Sequence, residues 1–393
     1  MTEKKQFVRL KELILTFLKI GLVGFGGGIG TLALLRKYIV LDKKWITDDD
    51  LAFAVTLGQI IPGPFIPKYV AYIGYRLRMV KGLLVAMAAF LLPGVCAMIV
   101  LSYLYFNAGQ TVAFNDILLW VQPVIIGILA WASYDMGKIY WKHGKSIAIG
   151  ILAFFGSFFN VSPIITILVC GCLGMIFFSR INRLLSVVPL CFLFGASLLS
   201  IDGKGLLSVI LLFIQIGTVI FGGGFAAIPF IAKEVTILRP WLTNPELLTG
   251  IALSQLTPGP VALLATFVGY KISGIIGAIL ATIAIFLPST IILILILILY
   301  QYVKKSGMPR FYQYAIGFIE GIKPAIVGIL IAATIVMASA SGVLITDSII
   351  WSISKIFLVG VSFVLLVRWD VSPALLILGS AVLGFILTRV FIF

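Results

Sequence analysis

The sequence predicts an all-α polytopic membrane protein made of two homologous inverted-topology repeats with broken or re-entrant helices. Three observations predict it. The 393 residues are 61% hydrophobic and only 11% charged, which is not the make-up of an ordinary soluble domain. Apolar runs near or above the roughly 20 residues that span a bilayer as helix recur from end to end, 83–106, 274–300 and 324–340 among them. The chain also repeats itself, with paired glycine and proline breaks inside apolar segments.

The repetition fixes the organisation. Phe25-Gly26-Gly27-Gly28 returns as Phe221-Gly222-Gly223-Gly224, and Trp45 as Trp241. Gln59-Ile60-Ile61-Pro62-Gly63-Pro64 returns as Gln255-Leu256-Thr257-Pro258-Gly259-Pro260, all three matches at an offset of 196. Leu92-Pro93 matches Leu287-Pro288 at an offset of 195, 123–129 matches 324–330 at 201, and 161–163 matches 371–373 at 210. The offset drifts where loops can absorb an insertion. The first repeat is therefore 1–183, and the second is 205–393. Between them 184–204 is a linker predicted to be a transmembrane helix.

In chain order, the first repeat holds apolar segments at 10–35, 51–74, 80–106, 116–137, 146–160 and 162–179. The second holds them at 205–231, 247–270, 274–302, 313–340, 344–367 and 371–393. With the linker these make thirteen crossings, and the odd helix inverts the second repeat relative to the first. Loop charge agrees with a cytoplasmic N-terminus. One face collects Arg76, Arg78, Lys81, Lys138, Lys142, Lys145, Arg180, Arg183, Lys233, Arg239, Lys304, Lys305, Arg310 and Arg368; the other holds Lys204 and Lys271. The loop with Arg36, Lys37, Lys43 and Lys44 disagrees, although Asp42, Asp48, Asp49 and Asp50 accompany it. If the first two segments enter and return on one side, that loop becomes cytoplasmic and the count falls to eleven. Sequence leaves both arrangements open.

Composition also excludes classes. The net charge of +15 is scattered through short loops rather than gathered on a domain, so loop orientation explains it and no nucleic-acid partner is expected. Cys96, Cys170, Cys172 and Cys191 lie in apolar segments and read as buried free thiols. One histidine, His143, rules out a histidine-rich metal site. The stretch 1–19 is basic and then apolar without a small-residue cleavage site, and it is expected to be retained. There is no nucleophile elbow, Walker loop or metal-ligand spacing, so neither an enzyme nor a cofactor is expected.

The chemistry-bearing residues cluster at the repeated breaks. Three consecutive glycines weaken a helix by about 1 kcal/mol each relative to alanine. Gly26, Gly27 and Gly28, with Gly222, Gly223 and Gly224, are either close-packing contacts or backbone freed to face an anion. Each Pro-Gly-Pro removes two donors and disfavours helix before it, so the chain must bend or restart at Pro62, Gly63 and Pro64 and at Pro258, Gly259 and Pro260. In a bilayer the freed carbonyls need partners or water, which places such breaks at a cavity. The restarting helices aim their positive ends there. Gln59 and Gln255 precede the breaks and can donate to an oxyanion, and Thr257 adds a hydroxyl in the second repeat. Lys68 and Lys323 are intramembrane charges, although Glu320 lies one turn before Lys323 as a partner. Gln122 is the repeat counterpart of Lys323. Glu234, Glu246 and Asp135 are proton carriers or loop-edge carboxylates, and Trp45 and Trp241 read as interfacial anchors.

At these residues the chain resembles the chromate ion transporter family over nearly its whole length. The combination that carries the resemblance is FGGG, a basic stretch leading to Trp, Q-x-x-P-G-P, Gly-Tyr and Leu-Pro, then the whole pattern again. Long members usually read FGGP then His in the first repeat, where this chain has Phe25-Gly26-Gly27-Gly28-Ile29-Gly30. Their acidic residue after the first basic turn is Tyr38 here, while the second repeat keeps Lys233-Glu234. Their small polar residues after the first Pro-Gly-Pro are Phe65-Ile66-Pro67-Lys68 here. The resemblance implies a duplicated protein with oppositely oriented halves. It also implies export of chromate, a sulfate-like dianion, across a bacterial cytoplasmic membrane, with the glycine and Pro-Gly-Pro motifs in the functional core.

The expectation is a secondary transporter for a small oxyanion working by alternating access in the lipid bilayer, with a homodimer as an assembly the sequence permits. Two alternatives stay open: a carrier of another small anion or solute, and a non-transporting membrane partner subunit.

Overall fold

The computed structural model describes residues 8–24, 27–108, 112–178, 205–303, 309–342 and 349–391. The chain is helical almost throughout, as expected of an all-α membrane protein. Five stretches among the described residues are long and apolar enough to cross a bilayer: Phe65–Asn107, Leu118–Gly137, Val261–Ile298, Ile316–Ala340 and Ser352–Trp369. Gly144–Phe158, Pro163–Phe178, Leu206–Val219 and Pro373–Ile386 are apolar and shorter. The linker helix expected over 184–204 lies outside the described residues. Packing divides the chain into two units, each drawing on both repeats. One comprises 1–102, 205–224 and 254–307, and the other 103–204, 225–253 and 308–393.

In the first unit the apolar segments are interrupted where the sequence places its glycines and prolines. Helix Leu10–Val23 stops at Gly24, and a second helix, Gly27–Leu35, follows the glycine motif. Helix Asp48–Ile60 stops at Ile61, and a new helix begins at Phe65. Helices of 14 and 13 residues, Leu10–Val23 and Asp48–Ile60, reach only about 20 Å, short of a roughly 30 Å hydrocarbon core. The helical stretch Phe65–Tyr103 is itself two helices. Arg78 (φ −146°, ψ 28°) and Met79 (φ 52°, ψ −147°) are non-helical. Gly74 abuts the backbone of Gly82, eight positions on and about 12 Å away in a straight helix, so the chain reverses there. The second repeat reproduces the reversal in Leu264–Val303 at Ser273 (φ −143°, ψ 27°) and Gly274 (φ 60°, ψ −148°), with Gly269 against Gly277. These reversals fall where the sequence separates 51–74 from 80–106 and 247–270 from 274–302.

Two contacts decide how the first two segments run. Arg76 Nε lies 3.0 Å from Asp50 Oδ1, and Arg78 Nε donates to the Val8 carbonyl at 2.6 Å. Residues 50 and 76 would be some 40 Å apart on one continuous helix. The segment 51–74 therefore returns to the end it left, and Val8 together with the 36–50 loop shares that end. Of the two arrangements left open by sequence, the first repeat adopts the re-entrant one. The aspartates that accompany the basic loop are used at this end as well. Arg36 Nε donates to Asp48 Oδ1 at 2.7 Å and holds the Asp48 carboxyl below its usual range.

In the second unit, helix Pro309–Ala340 packs against Gly144–Phe158 and Pro163–Phe178 through glycines placed on backbone. A Cβ added at Gly174 would lie 2.5 Å from Gly321 N and from Gly317 O, and one at Gly328 2.9 Å from Phe154 N. Helix Val112–Gly137 packs on Ile349–Trp369 and Pro373–Phe391, with Gly127 against Ser362. Small residues let helices approach closely where no hydrophobic driving force exists between apolar side chains and lipid.

Both helices that precede a Pro-Gly-Pro start from a capping box. The Asp50 N–H donates to Thr47 Oγ1 at 3.1 Å and the Thr47 N–H to Asp50 Oδ2 at 3.4 Å. The Glu246 N–H donates to Thr243 Oγ1 at 3.3 Å and the Thr243 N–H to Glu246 Oε2 at 2.7 Å. The Thr-x-x-Asp/Glu spacing is the signal in the sequence. Thr243→Ala is expected to destabilise by about 1 kcal/mol, read as a lowered midpoint of thermal unfolding in detergent.

Candidate functional site

Both breaks of the candidate site lie in the first unit. Ile61 precedes a proline and is extended (φ −80°, ψ 138°), so helix Asp48–Ile60 cannot continue. Gly63 then takes φ +103°, a left-handed conformation that side chains disfavour. Gly63 and Pro64 form a two-residue strand paired in parallel with Phe221 and Gly222, in the register Gly63 with Phe221 and Pro64 with Gly222. The Gly63 N–H donates to the Ile220 carbonyl at 2.5 Å. The repeat-equivalent bond is present too: the Gly259 N–H donates to the Gly24 carbonyl at 3.3 Å. Gly259 is Gly63 shifted by 196, and Ile220 is Gly24 shifted by 196. Each Pro-Gly-Pro of one repeat is thus tied to the residue immediately before the glycine motif of the other.

Further contacts close the same cluster. A Cβ at Gly63 would stand 2.5 Å from Ser289 Cβ, and one at Gly224 2.8 Å from Val261 Cβ. Gly94 packs on the Pro258 backbone and on Leu263, whose Cδ1 a Cβ there would meet at 2.6 Å. At Gly223 a Cβ would meet nothing within 4 Å, so this backbone borders open space.

The sequence-predicted residues divide as follows. Pro62, Gly63, Pro64, Gly222, Gly223, Gly224, Pro258, Gly259 and Pro260 come together in this cluster. Lys68 joins them: it is 2% exposed, and its ammonium donates to the Ile61 carbonyl and lies 5.2 Å from the Phe65 ring centroid. Thr257 is buried and its hydroxyl donates to the Ser254 carbonyl at 3.1 Å. Gln255 Nε2 is buried with no hydrogen-bond partner among the described residues. Gln59, its equivalent, is exposed. Gly26 lies outside the described residues, and of Gly27 and Gly28 only the helical backbone is described. Lys323 belongs to the other unit and pairs with Glu320 Oε1 at 2.6 Å, the ion pair its spacing allows.

Four residues bear on the interfacial and proton-carrier readings, and the loop-edge alternative holds for two of the carboxylates, Glu246 and Asp135. Trp241 is 5% exposed and lies beneath Arg239, whose Cζ is 5.8 Å from the ring, so it is packed in protein rather than anchored at a lipid boundary. Glu246 is occupied as a helix cap, and Asp135 pairs with the exposed Lys138 at 2.6 Å. Glu234 is ion-paired with Arg239 in a mostly buried position, and the neighbouring Lys233 donates to the carbonyls of Asn160 at 2.6 Å and Val161 at 2.9 Å. Nothing local in the sequence marks those last contacts.

Residues 11–175 and 207–385 match the family described as Chromate transporter, one match per repeat. The chain belongs to the chromate transporter family. Several relatives cover it almost completely. An uncharacterised transporter of Methanocaldococcus jannaschii is 29% identical over 98% of this chain and 96% of its own length. A chromate transport protein of Cupriavidus metallidurans is 27% identical over 96% of this chain and 93% of its own. An uncharacterised transporter of Bacillus subtilis is 31% identical over 39% of this chain and 78% of its own, so a match one repeat long also occurs. No solved structure matches the chain. As a chromate transporter family member with apolar helices from end to end, the protein is a multi-pass membrane transporter.

Proposed function

We propose that this protein is a secondary transporter that moves a small oxyanion, chromate or a sulfate-like dianion, outward across the cytoplasmic membrane by alternating access. The observation that carries the reading is the reciprocal pair of hydrogen bonds between the breaks, Gly63 to Ile220 and Gly259 to Gly24. Irregular backbone at bilayer depth persists only where protein buries it or it lines a cavity. Here both interruptions meet at one place, with helix starts that attract negative charge and an amide donor at Gln255 that has no partner among the described residues. A relation that exchanges the two repeats contact for contact supports an inverted arrangement. Such an arrangement is the one on which alternating access by rocking of one element about a shared site is built, and it supports that mechanism. The loop-charge bias supports a cytoplasmic N-terminus.

Energetics permit export without ATP. One charge moved through 100 mV is worth about 2.3 kcal/mol, and an inside-negative potential assists outward passage of a dianion by about twice that. The test is chromate and sulfate flux in proteoliposomes under an imposed potential, with Pro62→Ala/Pro258→Ala protein beside the unaltered chain. Potential-driven flux that falls at least tenfold in the double variant is the expected result. Flux of another anion alone would make the protein a carrier of that solute. No flux of any solute from folded, inserted protein would make it a partner subunit.

A further inference from the structure

The two breaks are not equivalent in charge, and Lys68 makes the difference. Its position four residues after Pro64 puts it on the first turns of the helix that restarts at Phe65, and helix side chains lean back toward the N-terminus. That direction carries the ammonium to the break itself, where it donates to the carbonyl of Ile61, the residue that closes helix Asp48–Ile60. An ammonium has three N–H groups, and among the described residues only this one acceptor and the Phe65 ring face it. No carboxylate pairs with it among the described residues.

Buried unpaired charge is costly, so it matters whether the fold needs it. The second repeat answers that within the same molecule. The equivalent of Lys68 is Leu264, fully buried, and the equivalent of Ile61 is Thr257, whose hydroxyl bonds to its own helix. The same break is built there without a cation.

We infer that Lys68 sets the valence of the transported ion: its ammonium is the fixed countercharge that makes the paired breaks prefer a doubly charged oxyanion over a singly charged one of the same shape. This rests on the oxyanion reading above. The physical reason is that attraction to a fixed charge scales with ligand charge, while the cost of stripping water from the ligand rises faster still. Helix ends and amide donors alone leave a dianion undercompensated. One ammonium within reach restores the balance for a dianion and is less needed by a monoanion.

The test is equilibrium binding of sulfate and of perchlorate, both tetrahedral and differing in charge, to the purified full-length chain. The unaltered protein is expected to bind sulfate at least tenfold more tightly than perchlorate. In Lys68→Met, sulfate affinity should fall at least tenfold while perchlorate changes less than threefold; Lys68→Arg should keep the preference. A merely structural role predicts equal losses for both ions, and that result overturns the inference. A ratio near one in the unaltered protein overturns it as well, whether or not the methionine variant folds. Binding of neither ion to the unaltered protein overturns the oxyanion reading itself, an outcome distinct from loss of discrimination.

Discussion

Alanine at position 63 is expected to cost far more than alanine at the equivalent position 259. Both glycines are left-handed, at φ +103° and +112°. Holding a side chain there costs about 1–3 kcal/mol. At Gly63 the new methyl would also stand 2.5 Å from Ser289 Cβ, whereas at Gly259 the nearest atom is Leu263 Cδ1 at 3.4 Å. Gly63→Ala therefore combines strain with overlap at the point where the Gly63 N–H meets the Ile220 carbonyl. Transport should fall at least tenfold and the midpoint of thermal unfolding should drop. Gly259→Ala should show the smaller, strain-only effect. Ser289→Gly in the Gly63→Ala background should recover the part due to overlap. Equal effects at 63 and 259 would show that Ser289 yields freely and that overlap contributes nothing.

The second large effect lies in the other unit. Gly174→Leu is expected to prevent helix Pro163–Phe178 from seating on Pro309–Ala340. The atoms in the way are Gly321 N and Gly317 O, each 2.5 Å from an added Cβ, and backbone cannot rotate aside as a side chain does. A loss of roughly 3 kcal/mol or more is expected, seen as aggregated or poorly recovered protein. Gly379→Leu is the matched control, because a Cβ there meets nothing within 4 Å and should shift stability by no more than about 0.5 kcal/mol. If both variants purify and melt alike, the glycine contacts in the second unit do not set helix spacing.

What the sequence discloses here is what acts locally. Proline removes a donor and fixes its neighbour, and Gly63, Gly222 and Gly259 adopt backbone angles other residues avoid, so the interruptions are legible from residue type alone. Repetition at a slowly drifting offset then exposes the two repeats. Long-range choices are not local and stay hidden. Nothing near Gly63 announces Ile220, and nothing near Asp50 announces Arg76, yet those two contacts decide which breaks meet and which way the segments run. Lys68 is conspicuous as a charge in an apolar run, while its acceptor, the carbonyl of Ile61, has no sequence signature because every residue carries one. Trp241 misleads for the converse reason: a tryptophan beside polar residues suits a lipid boundary, and only the packing of Arg239 over it shows that protein covers the ring.

The reciprocal bonds at the breaks have a consequence for how such a protein comes into being. Gly63 has its acceptor in the second repeat and Gly259 has its acceptor in the first, so neither half is self-sufficient. A lone half would carry an orphaned amide hydrogen and an orphaned carbonyl into the bilayer, each with nowhere to turn. Its remedy is a second half that supplies both partners. Fusing the two into one polypeptide guarantees that companion at every synthesis, and it then frees each copy to diverge, so that one break can keep a lysine while its twin keeps a leucine.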